Sequence, residues 1–414
     1  MRVLYVVSLF PCLSETFIAR EIRALVEQGV DVRILSLKPS RGDLIHDEVR
    51  DLLDRVIYPP DATRSLVGGL AALAASPLRH LGDLMRVVRG LAAHPVSLAK
   101  SLVVWWRCLA ALHEVREWRP DWIHAHWATF PSTGAWLLSR ATRIPFGFTA
   151  HAHDIFLEDH LLAEKIRDGA YAVTVSRANL GVLARHAPAR LVDEKVHVIH
   201  CGVDLARLGA PLPRARRRSA MILAVGRLVP MKGFAVLLDA CARLRDQGVS
   251  FECRIIGDGP ERAALAHRIE ALRLGGQVTL LGALRQEEVR SWMRNAAVFA
   301  LPARIDRDGN MDGIPVALME AMATGIAVVS TAVSGIPELV EDGVSGLLVP
   351  PDDPVALAEA IVRLLRDDAL AQRLVEHARR TIEADFDARR EAGKLLALAL
   401  CSTVAPVRAS QVTP

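Results

Sequence analysis

The chain has 414 residues, 51% apolar and 24% charged, a composition that belongs to folded proteins and excludes wholesale disorder. That length is too great for one ordinary core and suits two domains of about 200 residues each. A formal net charge of +4 is modest for such a length, so nucleic acid is not an expected partner. The six cysteines, at 12, 108, 201, 241, 253 and 401, make no C-x-x-C pair and no histidine spacing that would build zinc, and they read as reduced core residues of a cytosolic protein.

Residues 2–7 form a short apolar run that reads as a first strand. The opening MRVLYVVSLFPCLSE also has the look of a secretion signal, but it has one basic residue, no small-residue cleavage site, and Pro11 in its apolar run. Ser14 is placed to cap a helix with Ile18, Ile22, Leu25 and Val26 on one face, Gly29 ends it, and residues 32–37 resume as strand. This is a βαβ unit and implies a parallel sheet with a right-handed crossover. The first turn lacks G-x-G-x-x-G, which argues against a dinucleotide dehydrogenase.

From residue 44 to 119 the pattern is helical, with breaks at Pro59-Pro60, Ser76-Pro77 and His94-Pro95 and no evident strand. Residues 64–119 hold eight Lys or Arg against three acids, a local +5 that exceeds the net charge of the whole chain. With Leu84, Val87, Val88, Leu91 and Trp105-Trp106 as apolar partners, this suits helices on an anionic membrane surface; amphipathic helices packed on the sheet with basic solvated faces fit equally. No uncharged apolar stretch approaches the roughly 18 to 20 residues that cross a bilayer, so membrane contact is expected to be peripheral.

Residues 121–127 (DWIHAHW) return to strand, 132–141 form a helix, and the strand 145–150 ends in H-A-H-D at 151–154. A histidine at the carboxyl end of a parallel strand sits where open α/β sheets bind ligands. Taken alone, His151 reads as a zinc ligand, a base or a packing residue. His124, His126, His151 and His153 suggest a metal, but strand alternation pairs them on one face for packing reasons too, and no metal is expected. Strands at 172–176 and 196–200 close the first domain, G-V-D follows at 202–204, and PLPRARRRS at 211–219 has the proline-rich, basic composition of a boundary.

The second domain opens with a strand at 222–225 feeding G-R-L-V-P-M-K-G, residues 226–233. Two cations over a glycine-lined turn stabilise the charge that a leaving diphosphate gains in a transition state; an ordinary basic surface loop is the plainer reading. A strand at 251–256 ends in G-D-G-P, and strands at 278–281 and 297–301 follow. Between Gly313 and Pro337 the only ionisable residue is Glu320, in an apolar helix that Pro315 should start and Gly325 should stop. A carboxylate buried there needs a protein donor or a ligand's hydroxyls, since leaving it unpaired costs roughly several kcal/mol. Asp312 stands at the mouth of the same helix. A strand at 326–330, a small-residue turn at 331–335 and Ile336-Pro337-Glu338 then repeat the way α/β folds offer backbone N–H groups to phosphate. After a strand at 346–349, D-D-P at 352–354 starts helices that run to about residue 398.

The run D-G-I-P-V-A-L-M-E at 312–320, with A-T-G-I-A-V-V and G-I-P-E-L-V-E-D-G-V-S-G-L-L-V after it, resembles the signature of retaining family 4 (group 1) glycosyltransferases. G-R-x-x-x-x-K-G at 226–233, G-V-D at 202–204, T-A-H-A-H-D at 149–154 and FPCLSETFIAREI near the start are similar to the same family, the last to its polysaccharide-assembly, colanic-acid-type branch. The resemblance covers nearly the whole chain and is weakest from 44 to 119. It implies a GT-B fold, two Rossmann-like parallel-sheet domains facing a cleft, with residues 1–205 on the acceptor side, a linker at 206–219, a nucleotide-sugar domain at 220–384, a helix at 385–404 crossing back and a tail from 405. It also implies transfer of a hexosyl unit from a nucleotide sugar to a glycan, lipid-linked acceptor with retention, in exopolysaccharide or cell-surface glycan synthesis, on the cytoplasmic side and peripheral to the inner face of the membrane. By the same resemblance Arg227 and Lys232 hold the donor diphosphate, with Gly226 and Gly257 lining it; Asp312 and His151 reach the sugar; Gly313, Ile314 and Pro315 flank it; Glu320 takes the ribose; and Ser14, Glu15, Thr16 and Asp154 lie on the acceptor side. Two positions depart from the family pattern, Asp312 where Glu is usual and Ala152 where Gly is usual.

No cofactor or metal is expected. Asp306-Arg307-Asp308 spells the D-x-D that holds a divalent ion in other glycosyltransferases, but cationic side chains already fill that role here. Asp308, Asn310, Asp312 and Gly313 imitate a calcium loop whose twelfth position is Met319. The alternatives to transfer are a nucleotide-sugar epimerase on the same fold and an inactive sugar-binding module, the latter favoured by the two departures alone.

Overall fold

The apolar runs read as strands do become strands, and they are central and parallel because helices cover both of their faces. The computed structural model describes residues 1–12, 15–39, 47–156, 161–209, 217 and 220–404. Ser14, most of the stretch 206–219 and the tail from 405 fall outside the described residues. Two compact units result, one of Met1–Val175, Leu180–Ile199 and the residues from Arg389 on, the other of Ser176–Asn179 and His200–Ala388.

The first unit is a seven-stranded sheet of β1 (Arg2–Val7), β2 (Asp31–Ser36), β3 (Val56–Ile57), β4 (Trp122–His126), β5 (Phe146–Ala150), β6 (Tyr171–Thr174) and β7 (Val196–Val198), all parallel, in the order β3-β2-β1-β4-β5-β6-β7. Alternation along β1 sends Leu4 and Val6 into one core and Val3, Tyr5 and Val7 into another. The first core is closed by the helices Pro77–Leu91 and Pro95–Trp118, through Val87, Leu91, Val104, Cys108 and Leu112. The second is closed by the helix Thr16–Glu27 and by Ala392, Leu395 and Ala399 of the last helix, Ala388–Val404.

Three readings need correction. The segment 44–119 does hold a strand, β3, two residues long at the sheet edge and too short to leave a period in the sequence. The helix Thr16–Glu27 has Glu15, not Ser14, at its N-cap, with no side-chain capping bond. One helix, Pro95–Trp118, does have the length and apolarity to cross a bilayer. It carries Lys100 and Arg107 and packs one face into the first core through Val104, Cys108, Leu112 and Val115, while Val96, Leu102 and Val103 stay exposed.

The second unit is a six-stranded parallel sheet of β8 (Met221–Val225), β9 (Glu252–Ile256), β10 (Val278–Gly282), β11 (Val298–Leu301), β12 (Ala327–Thr331) and β13 (Leu347–Val349), ordered β10-β9-β8-β11-β12-β13. In both sheets the strand order reverses beside the first strand, between β1 and β4 and between β8 and β11. That reversal is where open α/β sheets leave a crevice at the carboxyl ends of their strands. The G-V-D at 202–204 has a structural role: Val203 bonds through its N–H to Phe386 O at 2.9 Å, and Asp204 caps the helix Leu205–Leu208.

Candidate active site

At the second reversal the turn after β8 carries Gly226 and Arg227, and a short 3₁₀ turn, Pro230–Lys232, brings Lys232 back over it. The stem of Lys232 lies across Gly226, where an added Cβ would stand 3.4 Å from its Cδ and Cε. Gly257, after β9, has φ +143°, and a Cβ there would fall 1.9 Å from the Gly226 carbonyl oxygen, so only glycine lets the two turns close on each other. Gly233 has the same constraint, with φ +69° and a Cβ position 1.8 Å from Pro302 O, which ties this turn to the end of β11.

Lys232 Nζ sits 2.7 Å from Asp312 Oδ2, both side chains largely shielded. Arg227 is exposed and bonds no other side chain among the described residues. The structure therefore brings Gly226, Arg227, Lys232, Gly257 and Asp312 together, and pairs two residues that the sequence assigned to different parts of a donor. Gly313 and Ile314 follow, half-buried, and Pro315 is the N-cap of the helix Val316–Ala323, one residue earlier than a first helical position. Gly325, at φ +77°, stops that helix as expected.

Glu320 is 5% exposed and accepts a hydrogen bond from Gln286 Nε2 at 3.0 Å. The protein donor that this carboxylate requires comes from the helix Gln286–Asn295, 34 residues away in sequence. Beyond β12, Ser334 takes a left-handed φ of +52° and leads into the turn Ile336–Leu339, so that the N–H groups of Ser334 and Gly335 bond no acceptor among the described residues. Glu338, just after, accepts from the N–H groups of Arg177 and Ala178, both at 2.8 Å, and so holds neighbouring backbone in place.

The first reversal is built from different chemistry. His151 follows β5, and its N–H donates to Asp154 Oδ1 at 3.0 Å. Asp154 also accepts from Ala128 N at 2.6 Å and is 2% exposed, so it clamps the two turns after β4 and β5. Buried Lys165 grips the same stretch from behind through the carbonyls of Ala128 and Thr129. Between them Trp127 is held at φ +78°, a conformation bulky residues adopt only where their surroundings impose it. Phe17 and Trp127 pack on the His151 ring, at centroid distances of 4.8 and 4.5 Å.

Behind His151 runs a chain of hydrogen bonds. His126 Nδ1 lies 3.1 Å from His151 Nε2, His126 Nε2 lies 2.9 Å from Glu21 Oε1, and Tyr5 donates to the same oxygen at 2.7 Å. Burial alone would raise the Glu21 carboxyl, but His126 beside it and the donors on it more than offset this and hold it at about 2. Burial lowers His151 well below the usual histidine range and takes His124 to about 3. Burial also raises the Glu15 carboxyl, and Trp127, His126 and Lys38 oppose the rise. Thr16 opens its helix beside Glu15.

Among the described residues the one grouping with ligand atoms close enough for a metal is Glu21, His124 and His126. Its ring nitrogens are already engaged, those of His124 by Thr149 and Tyr171 and those of His126 by His151 and Glu21, so hydrogen bonds account for the cluster. Asp306, of the D-x-D look-alike, accepts from the N–H of Arg307 at 2.7 Å in a tight turn. The sequence reading missed Glu21, Trp127 and Gln286. For Glu21 the signal was weak: it is an acid on the apolar stripe of Ile18, Ile22 and Leu25, but Arg20 and Arg23 flank it, whereas Glu320 has no ionisable neighbour in the sequence.

Two parallel sheets of this order, each with a furnished reversal point, define the two Rossmann-like domains of the GT-B class. Known structures of that class match this chain over most of its length. HepE of Anabaena, solved with UDP and glucose, matches with a TM-score of 0.70 at 18% identity, covering 97% of this chain and 100% of that one. Sucrose-phosphate synthase of Thermosynechococcus elongatus gives 0.71 at 21% identity, over 97% and 98%. The sequence pattern of glycosyltransferase family 4 matches residues 14–207, and that of the group 1 glycosyl transferases matches 213–381. WcaL of Escherichia coli, named for colanic acid biosynthesis, is 33% identical over 96% of this chain and 99% of its own length. AmsK of Erwinia amylovora, named for amylovoran biosynthesis, is 30% identical over 94% and 96%. The chain belongs to the family 4, group 1 glycosyltransferases, and it is a glycosyltransferase.

Proposed function

We propose that this glycosyltransferase moves a hexose from a nucleotide sugar to a growing, lipid-linked glycan with retention at the anomeric carbon, in exopolysaccharide synthesis. The observation that carries the reading is Arg227 and Lys232 over the glycine turns at the β8–β11 reversal, with Asp312 at 2.7 Å from Lys232. Two cations beside close-packed backbone suit a diphosphate leaving group and supply, without a metal, the charge stabilisation that such a group needs. The N–H groups of Ser334 and Gly335 add donors that suit phosphate oxygens. In the second domain Glu320, oriented by Gln286, takes the ribose and Asp312 the sugar; in the first, His151 at the β1–β4 reversal is assigned a sugar contact. HepE was solved with UDP and glucose, and WcaL and AmsK bear the names of exopolysaccharide pathways, which supports the donor class and the biosynthetic role. Among the described residues no carboxylate stands out as a glycosidase-type nucleophile, so retention is assigned to attack on the face the nucleotide leaves, with the donor phosphate receiving the acceptor's proton.

We propose further that the acceptor side includes an anionic membrane surface, with the enzyme peripheral to its cytoplasmic face. Leu66, Val67 and Leu70, Leu78, Leu81 and Met85, and Val96, Leu102 and Val103 are exposed along the helices Ala62–Ala75, Pro77–Leu91 and Pro95–Trp118. The helix Ala62–Ala75 has one charged residue and only Gly69 buried, an apolar surface that water does not favour. Arg86, Arg89 and Lys100 are exposed on the adjacent helices, the combination expected for anionic lipid.

The test is incubation of purified protein with a panel of labelled nucleotide sugars, with and without EDTA, and with lipid-linked saccharide acceptors. A new glycosidic product with the donor's anomeric configuration, formed in the presence of EDTA, is expected. An inverted product or a requirement for a divalent ion would sink the mechanism. An epimerised nucleotide sugar, or binding without turnover, would return the reading to one of the alternatives.

A further inference from the structure

The site at the β1–β4 reversal contains a half-buried charge, with 19% of its side chain exposed, that packing does not explain. Glu21 lies on the helix Thr16–Glu27 among core residues, where an apolar side chain of similar volume would cost nothing in desolvation. Its Oε1 receives both Tyr5 and His126, and an ionised carboxylate only accepts, so His126 carries a hydrogen on Nε2. The opposite nitrogen of His126 then faces His151 Nε2 across 3.1 Å, a gap that holds one shared proton. Where that proton rests fixes the tautomer of His151.

We propose that Glu21 is a positioning residue that acts through His126: it keeps the shared proton, and any positive charge of the histidine pair, on His126, so that His151 meets its sugar as a neutral imidazole in one tautomer. The argument is Coulombic. Glu21 touches His126 and not His151, so a charge on His126 is one hydrogen bond from the carboxylate, whereas a charge on His151 lies a whole ring further away. Burial of His151 by Phe17 and Trp127 penalises charge on that ring as well. The other ionisable groups around the pair are Tyr5, Glu15, Lys38, His124, Asp154 and Tyr171. Of these, Asp154 holds the backbone N–H of His151, and His124 bonds Thr149 and Tyr171 instead of the pair. The clamps on both turns, by Asp154 and Lys165, keep the two rings in register so that the bond between them persists.

This rests on the sugar contact assigned to His151, but one arm of its test needs no substrate. In protein labelled with ¹⁵N-histidine, long-range ¹⁵N–¹H correlations distinguish the two tautomers and the imidazolium, and His126→Asn and His151→Asn assign the signals. In the wild type, His126 should show hydrogens on both ring nitrogens and His151 a single neutral tautomer, with its hydrogen on Nδ1 and Nε2 accepting. Glu21→Gln should shift both rings, with the His151 hydrogen moving to Nε2, and should lower kcat by roughly 10- to 100-fold with little change in donor KM. Tyr5→Phe removes one donor from Glu21 but keeps its charge, and should leave the nitrogen pattern as in the wild type. If the His151 nitrogens are unchanged in Glu21→Gln, or if Tyr5→Phe alters them as much, the inference is overturned whether or not sugar transfer is found. A wild-type nitrogen pattern as described, with kcat falling only as far as the melting temperature of the variant explains, would reduce Glu21 to a structural role and also overturn it.

Discussion

The two domains share a strand order and differ in what fills the reversal point. In the second, a cation–carboxylate pair and an exposed arginine stand over turns that only glycine can make, and almost every part lies within two short segments, 226–233 and 312–320. In the first, two histidines, an aromatic pair and a half-buried glutamate come from the helix Thr16–Glu27 and the ends of β4 and β5, with Glu21 and His126 105 residues apart. The same topology thus supports a grip of charged side chains over glycine turns, suited to a diphosphate, and a hydrogen-bonded, aromatic-packed surface suited to a sugar.

The largest expected effect breaks the charged side of that comparison. Arg227→Ala or Lys232→Ala should each reduce turnover with an accepted nucleotide sugar by about 10² or more, as loss of one charge stabiliser does; near wild-type kcat in either would remove the clamp assignment. Asp312→Asn should reduce transfer yet leave nucleotide affinity equal or tighter, because it releases Lys232 from its 2.7 Å partner.

Acid should separate the domains next. His124, at about 3 in the folded chain against about 6.5 unfolded, and His151, also lowered, contribute stability that is complete above about pH 6.5 and is lost as pH falls toward 3. Glu21, at about 2, acts in the same direction below about pH 4.3. Of the seven tryptophans only Trp292 belongs to the second domain, so tryptophan fluorescence follows the first. A urea midpoint by fluorescence that does not fall between pH 7 and pH 4 would contradict the buried neutral histidines.

Glu320 gives a smaller effect and sharpens the donor reading. Glu320→Gln keeps an acceptor for Gln286, so the melting temperature should hardly move while nucleotide affinity weakens by about 1.5 to 3 kcal/mol. Gln286→Leu removes one donor from a buried carboxylate and should lower both. A destabilised Glu320→Gln with unaltered nucleotide affinity would make this carboxylate purely structural. The smallest single effects belong to the basic helices, where replacing Arg86, Arg89 and Lys100 by Gln should weaken sedimentation with anionic vesicles by about 1 kcal/mol per charge, in a salt-dependent way. Unchanged sedimentation would leave those residues as a solvated face.

The sequence by itself determined the parts whose physics is local. Apolar runs of strand length, proline and glycine punctuation and the cap at Asp353 placed nearly all of the strands and helices, and the glycine-bracketed G-R-L-V-P-M-K-G placed the cations, because turn geometry is set within a few residues. Strand β3, only two residues long, left no such period. What the tertiary structure decided was partnership. A buried polar group announces from sequence that it needs a partner, as Glu320 did, but the partner is chosen by which helix packs across it, and only the fold supplies Gln286. Lys232 and Asp312 each read as ligand groups, and their pairing followed from the turn that Gly233 allows against Pro302. The chain Tyr5, Glu21, His126, His151 exists only because β1 and β4 are neighbours in a parallel sheet and the helix Thr16–Glu27 packs on the face that carries Tyr5, an arrangement set by register and packing over the whole domain and by no short stretch of residues.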